Sequence, residues 1–328
     1  MKSLLKLPNY PFRVEFEIIH SCNLNCAYCY AKPFTHTNPS IENLEYLFKK
    51  TKQEANPFQV ILLGGEPFLR NDIIEVFELA SKIFSNLRLG VSTNGTLISY
   101  LKPEKLVRLR ELAIENKIGI QISLDSINPE VNDKVRGKTI DVLKALDTLE
   151  SNGIFFSVGI VLTKINHLDI LNTVEYLLKR YKYLTIINLE NLEPSYSLGN
   201  KYFELHINSG EHKEIYRRIK ELRGQLNRDD VKLDGIDEED TKYSQFLFST
   251  YEFTTCTAGL FRSAVLANGD ITGCTMIRNV VLGNLYRESW KKIWERSKAS
   301  FLALQNKVVG GQCYYYNLAS NDKLYKLK

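Results

Sequence analysis

Short runs rich in β-branched and aromatic residues alternate along this chain with longer amphipathic stretches. The apolar runs cover residues 12–19, 58–63, 87–92, 118–124, 154–162 and 183–189. Between them lie segments with helical spacing of apolar positions, at residues 41–52, 72–84, 103–115, 139–151 and 167–181. Six strands separated by five helices make successive βα units, whose right-handed crossovers place the strands in one parallel sheet. The fold class expected is α/β, a partial (βα)6 barrel of TIM type. The polar motifs fall at the carboxyl ends of the strands, where such barrels carry their working loops. They are a cysteine loop after the first strand, then Gly64-Gly65-Glu66-Pro67, Ser92-Thr93-Asn94-Gly95, Ser123-Leu124-Asp125-Ser126, Thr163-Lys164-Ile165-Asn166 and Glu190-Asn191-Leu192-Glu193.

Beyond the sixth strand the pattern gives way to polar sequence with one helix expected at residues 211–223 and an acidic stretch at 234–240. Residues 261–267 and 271–275 then flank Asn268-Gly269, a hairpin signal because both central residues of a type I′ turn need positive φ. A helix over residues 288–304 follows, with Trp290, Ile293, Trp294, Phe301 and Leu304 on one face. The expected organisation is a barrel at 1–194, a bridge at 195–255 and a small C-terminal domain of hairpin plus helix at 256–328.

Composition adds limits. The chain has 328 residues, 44% hydrophobic and 25% charged, which is enough to bury an ordinary core. Its formal charge of +5 comes from Lys and Arg interleaved with Asp and Glu, a mixed solvated surface, so nucleic acid is not an expected partner. No segment reads as a signal peptide or membrane span, so a cytoplasmic location without a membrane partner is the expectation. Six cysteines are too sparse in a chain of this size for a disulfide framework.

The cysteines carry the chemistry. Cys22, Cys26 and Cys29 stand in C-x3-C-x2-C spacing. Three thiolates in so short a loop can hold three irons of a cubane cluster and leave the fourth open for chemistry. A zinc site and a disulfide are the competing readings; zinc prefers four closed ligands from paired knuckles, and this loop supplies one such pair. The loop, with the Gly64-Gly65-Glu66-Pro67 turn, resembles the radical S-adenosylmethionine (radical SAM) enzymes over most of residues 12–190. The resemblance implies a [4Fe-4S] cluster whose unique iron binds S-adenosylmethionine (SAM). It places Tyr28 near the adenine, and Gly64, Gly65 and Glu66 at the amino group of the methionyl part. It further implies polar contacts to the ribose or methionyl part from Asn94, Ser123 and Asp125, a carboxylate contact from Arg136, and cover for the adenine around Leu162.

A second group, Cys256, Cys274 and Cys313, follows the pattern C-x12-G-x4-C, gap, C, with Gly269 in the hairpin. It resembles the auxiliary-cluster extension known as the SPASM domain in its shorter twitch form, which implies a second [4Fe-4S] cluster. Three buried thiols or a zinc site are the plain alternatives. Glu190 and Glu193, at the mouth of the sixth strand, are the candidate catalytic residues, as general base or as ligands of a substrate amine. His20, His36 and the run Tyr314-Tyr315-Tyr316 are read as packing or solvated residues.

The resemblance implies an enzyme that cleaves SAM reductively and abstracts a substrate hydrogen, for oxidative modification or cross-linking of a peptide. A small-molecule dehydrogenase, a peptide epimerase and a non-catalytic zinc or iron–sulfur protein are the alternatives. Expected partners are the peptide or small-molecule substrate and a flavodoxin- or ferredoxin-type electron donor. Only about a dozen residues precede the first strand, so a leader-recognition domain, if used, is expected on a separate protein.

Overall fold

The computed structural model describes residues 8–32, 37–115, 117–193, 195, 198–199, 201–234 and 258–305. Its six expected strands are β1 (Arg13–Ile19), β2 (Gln59–Gly64), β3 (Arg88–Thr93), β4 (Gly119–Ser123), β5 (Phe156–Leu162) and β6 (Leu184–Asn191). The five expected helices are α1 (Ile41–Glu54), α2 (Ile73–Ile83), α3 (Pro103–Ile114), α5 (Thr139–Ser151) and α6 (Ile170–Arg180). A short helix, α4 (Pro129–Val135), also occurs between β4 and α5; Asn128 caps it by accepting from the Glu130 N–H, and Pro129 opens it.

The remaining elements extend this frame. After β6 come α7 (Lys201–Leu205), α8 (Ser209–Gln225) and β7 (Lys232–Asp234); then β8 (Arg262–Val265), β9 (Asp270–Thr272), β10 (Gly283–Asn284) and α9 (Trp290–Gln305). The segment read as a bridge therefore contributes a strand, β7, which adds in parallel to β6. The hairpin of β8 and β9 forms where Asn268-Gly269 signalled it, but only Gly269 has positive φ, so its turn is not the expected type I′; β8 pairs in parallel with β1. One sheet results, in the order β10-β9-β8-β1-β2-β3-β4-β5-β6-β7. Among the described residues no ladder joins β7 back to β8, so the barrel is open.

The two faces of the sheet differ because side chains alternate along each strand. In β1, Val14, Phe16 and Ile18 are buried on the helix side, where Phe16 meets Phe48 of α1 edge-on at 4.9 Å, whereas Arg13 and Glu15 line the lumen. In β5, Val158, Ile160 and Leu162 are fully buried while Ser157, Gly159 and Val161 line the lumen. Small lumen residues recur at Gly90, Ser92, Gly119 and Ser123. A closed TIM barrel fills its interior with layers of branched side chains. This one leaves a cavity of about 790 Å³ running from the strand starts to the cysteine loop.

The C-terminal elements are fastened to the barrel by buried polar contacts. Arg278 pairs with Glu17 of β1 at 2.7 Å with neither side chain exposed, and the Ala267 N–H donates to Glu17 at 3.0 Å. On the outside, Trp290 Nε1 donates to Thr51 Oγ1 at 3.0 Å, Lys50 reaches the Leu285 carbonyl at 2.6 Å, and Tyr46 stacks on Tyr286 at 5.5 Å. Burial pushes the Glu17 carboxyl up, but the His20 hydrogen bond, the Arg278 guanidinium and the Ala267 N–H together outweigh it and hold it at about 2.

Because that value lies below the ordinary 4.5, the ionised carboxylate stabilises the fold fully above pH 4.5, and the contribution is lost as pH falls toward 2. Glu17→Gln leaves a buried guanidinium uncompensated and is expected to cost about 3–5 kcal/mol, measured by denaturant unfolding at pH 7. Glu17→Gln with Arg278→Met should recover most of the loss. A double variant no more stable than Glu17→Gln would show that the pair is not the main fastening.

Candidate active site

The cysteine loop leaves β1 at Ile19 and is held on three sides. The first is the turn after β2, where the Gly65 N–H donates to the Ile19 carbonyl at 2.8 Å and the Glu66 N–H to Ser21 at 2.9 Å. The approach is so close that a Cβ on Gly64 would stand 2.0 Å from the Ile19 oxygen, and one on Gly65 2.1 Å from the Ser21 oxygen. Only glycine fits at either position. The second side is the turn after β3. Asn94 donates from Nδ2 to Asn23 of the loop at 3.0 Å, and Asn23 donates to Thr96 at 2.9 Å. The third is the end of β4 with α4, where the Ala27 N–H donates to the Val135 carbonyl at 2.7 Å and Tyr28 donates its hydroxyl to Asp125 at 2.5 Å.

Glu66 ties two of these sides together. Its fully buried carboxylate accepts from the Phe68 N–H at 2.9 Å, the Thr93 hydroxyl at 2.6 Å and the Asn94 N–H at 2.7 Å. Burial pushes the carboxyl up although all three donors favour its ionised form. Glu66 has no surface on the cavity wall, whereas Gly64, Gly65 and Asn94 do.

The cavity wall carries Cys22, Cys26, Cys29 and Tyr28 from the loop, Ser123 from β4, Arg136 from the end of α4, and Glu190 and Glu193 from the end of β6. Thr275 and Met276, directly after Cys274, also line it. With four exceptions the expected residues among those described converge on one cavity; one of the four, Cys274, is buried and off its wall. Asp125 and Glu66 are fully buried behind the wall, and Leu162 faces the helix layer, leaving Val161 as the cavity residue at that end of β5. For Leu162 the reason is strand alternation, one step along the strand turning a residue to the other face, whereas Asp125 and Glu66 lie past their strand ends and turn in to neighbouring donors. Cys256 and Cys313 lie outside the described residues, as do His36 and Tyr314-Tyr315-Tyr316.

The lumen also holds charges that the sequence reading did not single out. Arg13 pairs with Glu15 at 2.8 Å, and Arg262 faces them from β8. Burial pushes the Glu15 carboxyl up, but Arg13, Arg262 and Thr275 outweigh it and bring it below its ordinary value. Glu190 reaches into the cavity and accepts from Asn188 at 2.7 Å; burial pushes its carboxyl up, against the opposing charges of Arg13, Arg136 and Arg262.

The loop suits a thiolate-held iron–sulfur cluster. Burial, opposed by Arg136 and reinforced by Cys29 and Cys22, pushes the Cys26 thiol up to about 11; Cys22 is raised by burial, Glu66 and Cys29. Thiols near enough to oppose one another's ionisation, on one cavity wall, make a soft donor set that a bound metal would discharge.

Comparison with known proteins agrees. Residues 16–177 match the model of the radical SAM superfamily, and residues 256–314 match the iron–sulfur cluster-binding SPASM domain. The two domains imply [4Fe-4S] clusters and SAM. The chain is 26% identical over 295 residues, 87% of its length and 59% of the relative's, to the antilisterial bacteriocin subtilosin biosynthesis protein AlbA of Bacillus subtilis (strain 168). It is 29% identical over 212 residues, 63% of its length and 51% of the relative's, to mycofactocin maturase MftC of Mycolicibacterium smegmatis. It therefore spans little more than half the length of these relatives. The crystal structure of Streptococcus suis SuiB bound to precursor peptide SuiA has the same fold, with a TM-score of 0.75 at 16% identity, covering 96% of this chain and 74% of that one.

Gly65→Ala is expected to destabilise the fold by more than about 3 kcal/mol, because the added carbon meets backbone that neighbouring hydrogen bonds hold in place. Thermal unfolding and iron bound after reconstitution measure it. Unchanged stability and iron content would show that the loop entrance yields to an added carbon.

Proposed function

We propose that this chain is a radical SAM peptide maturase, which uses SAM and a [4Fe-4S] cluster at Cys22, Cys26 and Cys29 to oxidise or cross-link a peptide. The observation that carries the reading is the cavity itself. One hollow lumen has the three thiols and the two residues next to Cys274 on its wall, so a substrate within it would be within reach of both cysteine segments. Its volume falls in the range of ordinary ligand sites, about 300–1,000 Å³. AlbA and MftC support a peptide as the substrate, as does the peptide bound in SuiB.

When bound, the cluster and SAM supply an electron and a radical able to take hydrogen from an unactivated C–H bond. The chain's own residues hold and orient. Cys22, Cys26 and Cys29 supply three thiolates, and Gly64 and Gly65 let the loop entrance lie flat against β2. Arg136 presents a guanidinium to the SAM carboxylate, and the Ser123 hydroxyl and the Asn94 amide face the same region. Glu190 and Glu193, across the lumen, accept the proton released when the substrate is oxidised or hold a substrate amine. Glu190 accepts a proton only when ionised, so turnover should rise with pH across its titration. Cys256, Cys274 and Cys313 would hold an auxiliary cluster, which would supply an exit for the second electron. A flavodoxin- or ferredoxin-type protein delivers the first electron.

Anaerobically reconstituted protein should carry about eight irons, falling to about four in the Cys22→Ala/Cys26→Ala/Cys29→Ala variant. With SAM and dithionite, wild type should form 5′-deoxyadenosine and the triple variant none. Wild type that binds zinc in place of iron, or forms no 5′-deoxyadenosine, would overturn the reading.

A further inference from the structure

Asp125 has no surface on the cavity, yet three separate elements converge on its carboxylate. The Tyr28 hydroxyl of the cysteine loop donates to Oδ2 at 2.5 Å, Arg136 Nε at the end of α4 lies 2.9 Å from the same oxygen, and the Val161 N–H of β5 donates to Oδ1 at 2.9 Å. The Arg136 guanidinium also lies over the Tyr28 ring, 5.2 Å from its centroid. Arg136 is on the cavity wall, and among the described residues its terminal nitrogens make no hydrogen bond. A guanidinium held at Nε on one side keeps its outer pair of nitrogens for a second, bidentate acceptor.

We propose that Asp125 is a positioning residue that acts through Arg136, fixing that guanidinium at a set place relative to the cysteine loop so that it receives the carboxylate of SAM. This inference rests on the functional reading above and replaces the ribose or methionyl contact that the resemblance implied for Asp125. Two physical arguments carry it. A carboxylate with no exposed surface, two hydrogen-bond donors and a guanidinium paired against it is not placed to meet a ribose hydroxyl, but it is placed to orient the groups that bind it. A cation this deeply buried also needs a fixed counter-charge, and Asp125 supplies one without covering the outer edge of the guanidinium. Tyr28 joins the same carboxylate to the residue before Cys29, so cluster loop and guanidinium are set by one anchor.

The test compares SAM with decarboxylated SAM, which keeps the ribose and lacks the carboxylate, by equilibrium binding to the full chain loaded with its clusters. Wild type should favour SAM. Asp125→Asn should weaken SAM by about 10-fold to 100-fold and decarboxylated SAM by less than about 3-fold, the range seen when an orienting partner is lost. Arg136→Lys should show the same split, and the double variant should lose no more than Arg136→Lys alone, because the two act as one unit. Equal weakening of both ligands by Asp125→Asn, or no weakening of either, overturns the proposal and leaves the functional reading intact. If Asp125→Asn does not fold, Arg136→Lys decides: an equal loss, or none, for the two ligands overturns it. Wild type that binds neither ligand overturns the functional reading, and this inference with it.

Discussion

The rest of the site depends on a backbone contact closer than any side chain allows. The entrance of the cysteine loop lies against Gly64 and Gly65 so tightly that an added carbon would sit about 2 Å from a carbonyl oxygen. That contact continues the pairing of β1 and β2 past the ends of the strands and aims the loop over the lumen. Glu66 then uses its buried carboxylate to bind the same turn to the end of β3, and Asn94 joins that turn to Asn23. Precision comes from hydrogen bonds to backbone, which tolerate little displacement, more than from apolar packing.

The hollow of the barrel follows from a different choice. Helix-side positions are apolar and fully covered, which supplies the core, while lumen positions are small or charged. Filling the lumen with branched residues would add buried apolar surface, as closed barrels do. Here the sheet stays open, and its charges are satisfied against one another, as Arg13 is with Glu15 and Arg278 with Glu17.

Much of this was legible in the chain. The six strands and five main helices stand within a few residues of where hydrophobic spacing put them, and Asn268-Gly269 marked the hairpin. The short elements were not legible: α4 and α7 are too brief to show a helical period, and the strand edge that β7 completes is a tertiary fact. In β1 the alternation of Arg13, Glu15 and Glu17 with Val14, Phe16 and Ile18 held the signal of a polar lumen, but an apolar run reads as a strand before its charged face is noticed. The site residues were found by motif and misplaced by depth. Asp125 and Glu66 were read as ligands because they are carboxylates at strand ends; sequence does not show that their oxygens are already occupied by neighbouring donors.

The pairing of β1 with β8 has a consequence for how the chain is made. Arg13 sits opposite Arg262, so one edge of the strand that leads into the cysteine loop has no partner until the hairpin has left the ribosome. At ordinary synthesis rates that interval is roughly ten seconds to a minute. An unpaired strand edge is a template for wrong pairing, and a contact so distant in sequence closes slowly. The nascent barrel therefore needs protection on that side, and the hairpin that completes the sheet also ends its most vulnerable period.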